Sequence, residues 1–394
     1  MAGGLLGIME SIKKDKDLKV DADTFVDPNE VVEKISTGSI IIDKLLGKGS
    51  TIGGIGRGRM TEVFGLESSG KTTFALSLCK EFQKIGENVV FVDFEAALDR
   101  DYAANGLGLD LSPERFMHLR PQNLEEGVNI VDKILEYKDA NVGVIVMDSV
   151  KAMIPKTVMD GLVGDEPPMA LQARRIGQWL SKITKTIKDT NTSLVLLNQM
   201  TKNIKSNPYQ SGGEYETPGG LAIRFYASTR IELKGVTKET VKAINPITNK
   251  EEDMPDSLKV RASIIKNKIG DPYRRAEFFI KYGSGIDNKR SILDMASSHG
   301  IIKQGGAWYS YREDSGGFKI QGEDAMREFL LREENRGLLK EITDKLIFKQ
   351  DPALKEEAKI LEEQEANMER KMTKKISSAV KTEKAKEKTV VNLE

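Results

Sequence analysis

Apolar residues fall along the chain in two alternating kinds of run. Residues 60–64, 89–94, 142–147 and 193–197 are short, nearly continuous and rich in Val, Ile, Leu and Phe. That pattern predicts strands buried on both faces of a parallel sheet. Between them come longer stretches with helical spacing. In 73–85, Phe74, Leu76, Leu78, Phe82 and Ile85 suit a largely buried helix; 124–137 reads as amphipathic, and 169–187 as a further helix. Upstream, Ser36, Thr37 and Gly38 lead into Ile40, Ile41, Ile42, Leu45 and Leu46, and the glycine-rich 47–58 predicts a loop. Two more strands, 224–233 and 259–266, are expected to be antiparallel and separated by a polar excursion at 237–255. Around 283–287 the pattern shifts to a smaller unit that ends near Lys349. The alternation predicts an α/β fold, a mainly parallel sheet flanked by helices, with a small C-terminal α/β domain. The expected divisions are an N-terminal segment 1–33, a core 34–284, a small domain 285–350 and a charged tail 351–394, helical or disordered.

Composition narrows the class. The 394 residues are 39% hydrophobic and 30% charged, and 60 basic residues balance 60 acidic ones. Global charge therefore does not point to nucleic acid, and any such site must be local. Cys79, His118 and His299 are too few and too scattered for a zinc cluster, and one cysteine excludes an internal disulfide. No run of about 18 apolar residues is present, so no transmembrane helix is expected. Leu5, Leu6 and Ile8 make too short an apolar stretch for a signal peptide. A cytoplasmic or nucleoid-associated protein is expected, without membrane contact.

The chemistry centres on Gly65-Leu66-Glu67-Ser68-Ser69-Gly70-Lys71-Thr72, which sits between a predicted strand and a predicted helix. Strand, glycine loop and helix N-terminus together form the context of a phosphate-binding loop, with Lys71 for the β- and γ-phosphates and the Thr72 hydroxyl for Mg²⁺. The plain alternative is a glycine turn with a surface lysine. Asp148 closes the 142–147 strand, where a carboxylate can hold Mg²⁺ through water; a helix-capping Asp is the alternative. Glu95 closes the neighbouring strand and could orient the attacking water, or be a surface salt-bridge partner. Tyr102, just past Asp99, is a candidate for stacking on adenine. Asn198-Gln199 precedes residues 200–220, a long stretch with Lys202, Lys205, Tyr209 and Tyr215 that suits a nucleic-acid strand. It and the flexible 159–168 can equally be solvated linkers.

Taken together, Gly-Leu-Glu-Ser-Ser-Gly-Lys-Thr-Thr (65–73), Val-Asp-Phe-Glu-Ala-Ala-Leu-Asp (92–99) and Val-Ile-Val-Met-Asp-Ser-Val (144–150) resemble the bacterial RecA-type strand-exchange recombinases. So do Asn198-Gln199, Gly219-Gly220 with Arg224-Phe225-Tyr226-Ala227-Ser228, Lys266-Asn267-Lys268-Ile269 and Gly306-Ala307-Trp308-Tyr309-Ser310-Tyr311, all in family order. The resemblance implies a RecA-like P-loop ATPase core, ATP and Mg²⁺ as cofactors, and a homo-oligomeric helical filament on single-stranded DNA that pairs with duplex DNA. It implies an ATP site of Gly65, Leu66, Glu67, Ser68, Ser69, Gly70, Lys71, Thr72, Thr73, Asp99, Tyr102 and Asp148. Glu95 and Gln199 would act in hydrolysis, and Lys266 and Lys268 would reach the neighbouring subunit's ATP. DNA would meet Arg174, Met200, Lys202, Asn203, Lys205, Tyr209, Gly219 and Gly220. Phe225 and Arg230 would lie at the subunit interface, and the N-terminal segment would serve subunit docking. Single-strand-binding and mediator proteins are the further partners the resemblance implies. The second loop is longer than the family pattern, the usual basic Lys-Gly-Ser stretch before the core is absent, and the tail turns from acidic (356–369) to basic (370–388). Such departures suit a phage-borne relative in a host cytoplasm as well as a chromosomal one. A ring-forming helicase or clock-type ATPase would share the phosphate loop and Glu95, and a DNA scaffold with little turnover is the third reading.

Overall fold

The computed structural model describes Ile12 and residues 31–49, 51–161, 169–202, 215–313 and 316–348. The rest of the N-terminal segment to residue 30, the greater part of the two long loops and the tail lie outside the described residues.

The first elements are β1 (Lys34–Ile35), α1 (Ile40–Leu46), β2 (Ile55–Gly56), β3 (Met60–Gly65), α2 (Lys71–Lys84), β4 (Asn88–Asp93) and β5 (Phe116–Leu119). Next come α3 (Leu124–Glu136), β6 (Val142–Asp148), α4 (Lys156–Met159), α5 (Met169–Asp189), β7 (Ser193–Gln199), β8 (Thr201–Lys202) and β9 (Tyr215–Glu216). α6 (Gly220–Tyr226), β10 (Thr229–Ile244), β11 (Glu251–Asn267), β12 (Arg275–Lys281) and β13 (Gly285–Ile286) complete the core. A 9-stranded sheet runs in the order β13-β12-β11-β10-β3-β7-β6-β4-β5. From β10 to β5 every neighbouring pair is parallel, and β11 to β13 extend the sheet antiparallel.

The two-residue period of a strand divides the central residues between two cores. Val89 and Phe91 of β4 pack on the side of Phe74, Leu78 and Phe82 of α2. Val90 and Val92 face the other way, toward Val131 of α3 and Leu180 and Ile183 of α5. Each such apolar side chain contributes about 1.5–3 kcal/mol when fully buried. Both faces being covered explains why these strands read as continuous apolar runs. Asn123 starts α3 by accepting from the Glu126 N–H (2.9 Å), which fixes one helix of the second layer.

Two expectations are corrected. Residues 224–233 are not one strand: α6 ends at Tyr226 and β10 begins at Thr229. The polar excursion at 237–255 belongs to the strands themselves, since β10 and β11 pair all the way from Thr229↔Asn267 to Ile244↔Glu251. The outer part is exposed, so its ladder is held by backbone hydrogen bonds, with little apolar burial to mark it in the sequence. Pro255 pairs with Thr240 beside a register shift, the kind of position that tolerates a residue without an N–H.

The C-terminal residues form α7 (Asn288–Ser298), β14 (Lys303–Gly305), β15 (Trp308–Tyr311), β16 (Phe318–Gln321), α8 (Glu323–Leu331) and α9 (Arg336–Phe348). Their 3 antiparallel strands and helices enclose a separate core around Leu293, Tyr309, Phe318, Leu330 and Ile342.

Candidate active site

Parallel strands deliver the ends of β3, β4, β6 and β7 to one edge of the sheet, the usual place for a ligand crevice in such a fold. β3 ends at Gly65, and its loop turns into α2 at Lys71. Glycine is required at two points of that turn. A Cβ on Gly65 would sit 2.0 Å from the Leu233 carbonyl oxygen, and Gly70 has φ +88° with Ile280 Cδ1 only 2.3 Å from where its Cβ would be. α2 has no side-chain cap, so the N–H groups of its first turn stay available, and the buried Ser69 hydroxyl has no partner among the described residues. Uncapped N–H groups, a hydroxyl and a buried ammonium gathered in one turn fit an anion of phosphate type.

Lys71 is buried, and its Nζ donates to the carbonyls of Leu66 (2.7 Å) and Gly65 (3.2 Å). Burial lowers its pKa, against the pull of Asp148, Glu95 and Glu67. The Thr72 hydroxyl donates to Asp148 Oδ2 at 3.0 Å. Burial pushes Asp148 up to about 6, Glu95 and Asp93 add to the rise, and the Thr72 hydrogen bond and Lys71 oppose it. Glu95, at the end of the segment following β4, accepts from the hydroxyl of Ser149, across a cis Asp148–Ser149 peptide. Asp93 is buried behind it and accepts from the N–H groups of Leu98 (3.1 Å) and Ala97 (3.3 Å), with His118 Nε2 at 3.1 Å. This fixes the turn that carries Glu95. Tyr102 OH lies 3.2 Å from Thr73 Oγ1, and burial raises its pKa.

Lys71, Thr72, Thr73, Glu95, Tyr102 and Asp148 line one cleft of about 460 Å³, together with Glu67, Ser68 and Gln199. The oxygens of Thr72 and Asp148 make a donor pair suited to a hard divalent cation that takes its remaining ligands from phosphate and water. Among the described residues no cluster of three or more His, Cys, Asp or Glu could hold a metal ion by itself. Leu258 of β11, Ile280 of β12 and Tyr282 just after β12 also line the cleft, a contribution the sequence reading missed. They lie about two hundred residues beyond the loop, and nothing in their own runs signals a site.

Apart from Gln199, the other expected residues among those described lie off this lining. Asp99 is off the cleft wall and accepts from the Tyr102 N–H at 3.0 Å; Leu66 is exposed. Gln199 ends β7 on the wall, and its Oε1 accepts from Lys151 Nζ at 3.0 Å. Met200 follows, its N–H donating to the same Gly65 carbonyl that holds Lys71 (3.0 Å). Lys266 is away from this cleft and donates to the carbonyls of Arg224 (2.7 Å) and Phe225 (3.0 Å) at the end of α6; Lys268 is exposed next to it. Phe225 is 73% exposed and makes an edge contact with Tyr226. Arg230, expected at an interface, is buried in the chain itself: its Nε donates to the fully buried Glu62 (2.5 Å), and it lies over the Phe64 ring. Asn198 donates to the same Glu62 (3.0 Å) and to the Pro218 carbonyl (2.9 Å). Arg174 is exposed on α5, and Gly219 and Gly220 open α6. Lys202 falls in β8, while Asn203, Lys205 and Tyr209 lie outside the described residues.

Residues 15–287 match the model of the RecA N-terminal domain, and residues 290–350 that of the RecA C-terminal domain. The chain is 38% identical over 324 residues to Protein RecA of Bacteroides thetaiotaomicron, covering 81% of this chain and 90% of the relative. Protein RecA of Bordetella avium is 38% identical over 321 residues (81% and 83%), and that of Streptomyces avermitilis 37% over 321 residues (81% and 77%).

Proposed function

The chain belongs to the RecA family of recombinases, DNA-dependent ATPases of homologous recombination and DNA repair, and from that premise we propose that it hydrolyses ATP in the cleft between Lys71 and Gln199. The observation that carries this reading is the convergence of Lys71, Thr72, Glu95, Asp148 and Gln199 on one strand-end cleft.

In this reading the uncapped N-terminus of α2 and Lys71 hold the phosphates, and Tyr102 and Tyr282 border the base. Thr72 and Asp148 hold Mg²⁺, which supplies charge neutralisation at the phosphate oxygens when bound. Glu95 orients a water for attack and takes up its proton, while the Ser149 hydroxyl steadies the carboxylate. Gln199 responds to the terminal phosphate at the root of the second loop. Lys266 and Lys268 act on the ATP of an adjacent protomer; their distance from their own cleft supports a role across a boundary. Phosphate buried between protomers would favour the assembled filament, and its loss would loosen it. The DNA partners proposed are a single strand along the two loops and a homologous duplex, with single-strand-binding and mediator proteins as further partners. No described helix is long and apolar enough to cross a membrane, and we place the activity in the cytoplasm, at the nucleoid.

The test is ATP hydrolysis with and without single-stranded DNA, alongside electron microscopy of the complex. Strong stimulation by DNA and helical filaments are expected. Closed rings, or turnover indifferent to DNA, would overturn the reading.

A further inference from the structure

Gln199 has a neighbour that the proposed mechanism leaves unused. Lys151 lies in the short 3-10 turn Val150–Ala152 after β6, its side chain exposed, and its Nζ is 3.0 Å from Gln199 Oε1. An ammonium group has donors and no acceptor, so only the oxygen end of the carboxamide can face it. The amide is planar, and fixing its oxygen turns the NH₂ group away from Lys151. We propose that Lys151 is a positioning residue that sets the polarity of the Gln199 amide, so that donors rather than an oxygen are offered to the terminal phosphate. The inference rests on the reading of Gln199 as the group that responds to that phosphate.

The surroundings suit this role. The last torsion of a glutamine is broad and roughly two-fold, so an untethered amide can present either end. The oxygen end would repel a phosphate. A hydrogen bond from a charged donor is about twice as strong as a neutral one, enough to bias the choice. The turn that carries Lys151 is itself fixed, because Gln172 on α5 donates to the carbonyls of Val150 (3.0 Å) and Met153 (2.9 Å). α5 follows residues 162–168, and Gln199 precedes 200–220. The Lys151–Gln199 hydrogen bond therefore joins the roots of both segments proposed to meet DNA.

The measurement is the ratio of affinities for a fluorescent oligo-dT strand in the presence of a non-hydrolysable ATP analogue and of ADP, with Mg²⁺ in both. Lys151→Met should lower this ratio about tenfold, within the usual range of coupling between sites. Lys151→Arg, which restores a charged donor, should hold it within about twofold. A lysine that merely contacted DNA phosphates would weaken both nucleotide states alike and leave the ratio unmoved. Gln199→Ala should abolish the nucleotide dependence, and Lys151→Met added to it should change nothing further. If Lys151→Met keeps the wild-type ratio while Gln199→Ala lowers it, the inference fails and the reading of Gln199 stands. If Gln199→Ala keeps the ratio, both fall. An additional loss in the double variant would show that Lys151 acts independently of Gln199 and would also overturn the inference.

Discussion

Replacing Asp148 with Asn should stabilise the nucleotide-free protein while removing turnover. The carboxyl is raised from 3.8 to about 6, chiefly by burial and then by Glu95 and Asp93. A tenfold change in proton affinity is about 1.4 kcal/mol, so at pH 8 the ionised group would cost roughly 3 kcal/mol if fully shielded. The side chain is only half-buried, and solvent screening reduces this to about 1–2 kcal/mol. Asn is nearly isosteric, and its amide oxygen can still accept from the Thr72 hydroxyl. The sign follows from proton uptake. Below pH 3.8 the group is protonated in both folded and unfolded chains, and the cost is absent. Between 3.8 and about 6 the folded protein holds the extra proton, so stability falls as pH rises; above about 6 the cost is complete. Thermal melts in EDTA without nucleotide should show Asp148→Asn about 2–4 °C above wild type at pH 8, with roughly half that advantage at pH 5. With Mg²⁺ and an ATP analogue at a hundred times the dissociation constant, wild type should gain about 2.7 kcal/mol and overtake the variant. If the Asp148→Asn variant melts below wild type at pH 8, or its advantage does not shrink by pH 5, the electrostatic account is refuted.

Glu95→Gln should retain ATP binding, lose turnover by about 10²–10⁴-fold and persist as a DNA-bound filament; hydrolysis at the normal rate would remove Glu95 from the mechanism. Neither Lys71→Ala nor Lys266→Ala alone should hydrolyse ATP well, but mixed subunits should regain part of the activity, because some boundaries then combine an intact Lys71 with an intact Lys266. Absence of rescue at every mixing ratio would argue against a shared site. Asp43, also raised to about 6 by burial, accepts from Ser36 Oγ (2.6 Å), Thr37 N–H (2.8 Å) and Thr37 Oγ1 (2.7 Å). Truncation to Ala should cost about 2–4 kcal/mol in urea unfolding at pH 8, whereas Asn, which keeps an acceptor for Thr37, should be at least as stable as wild type.

The central strands were legible because both of their faces are buried, which leaves an apolar signal at every position. The phosphate loop was legible because a turn into a helix at Gly65 and Gly70 tolerates no Cβ. The outer halves of β10 and β11 carried no such signal, since exposed backbone pairing imposes little on side-chain polarity. At 224–233, Phe225 and Tyr226 looked like strand residues, yet the positive φ of Gly219 and Gly220 starts a short helix there. Within the cleft, the residue types at the strand ends could be read, but not their pairings. Ser149 with Glu95 and Lys151 with Gln199 meet only through the lateral order of β4, β6 and β7. The lining contributed by Leu258, Ile280 and Tyr282 needs the whole antiparallel extension to be in place.

The sheet also contains its own comparison between structural and reactive carboxylates. Glu62 is fully buried, and both oxygens are taken by nitrogen donors, Arg230 and Asn198. Removing one partner from such a pair strands a buried charge at a cost of about 3–5 kcal/mol, so Glu62 is fixed by its surroundings. Asp93 is held in a related way, by two backbone N–H groups and His118. Glu95 and Asp148 differ: among the described residues their side-chain donors are the hydroxyls of Ser149 and Thr72. A hydroxyl can rotate and exchange its hydrogen bond for one with water or phosphate, so these carboxylates can change partners at a cost of only about 1 kcal/mol each. Two acidic groups left close enough to raise one pKa, with no described cation hydrogen-bonded to either, lower the stability of the fold. A divalent cation shared with a phosphate chain would offset that cost, which makes the pairing intelligible as machinery rather than as support.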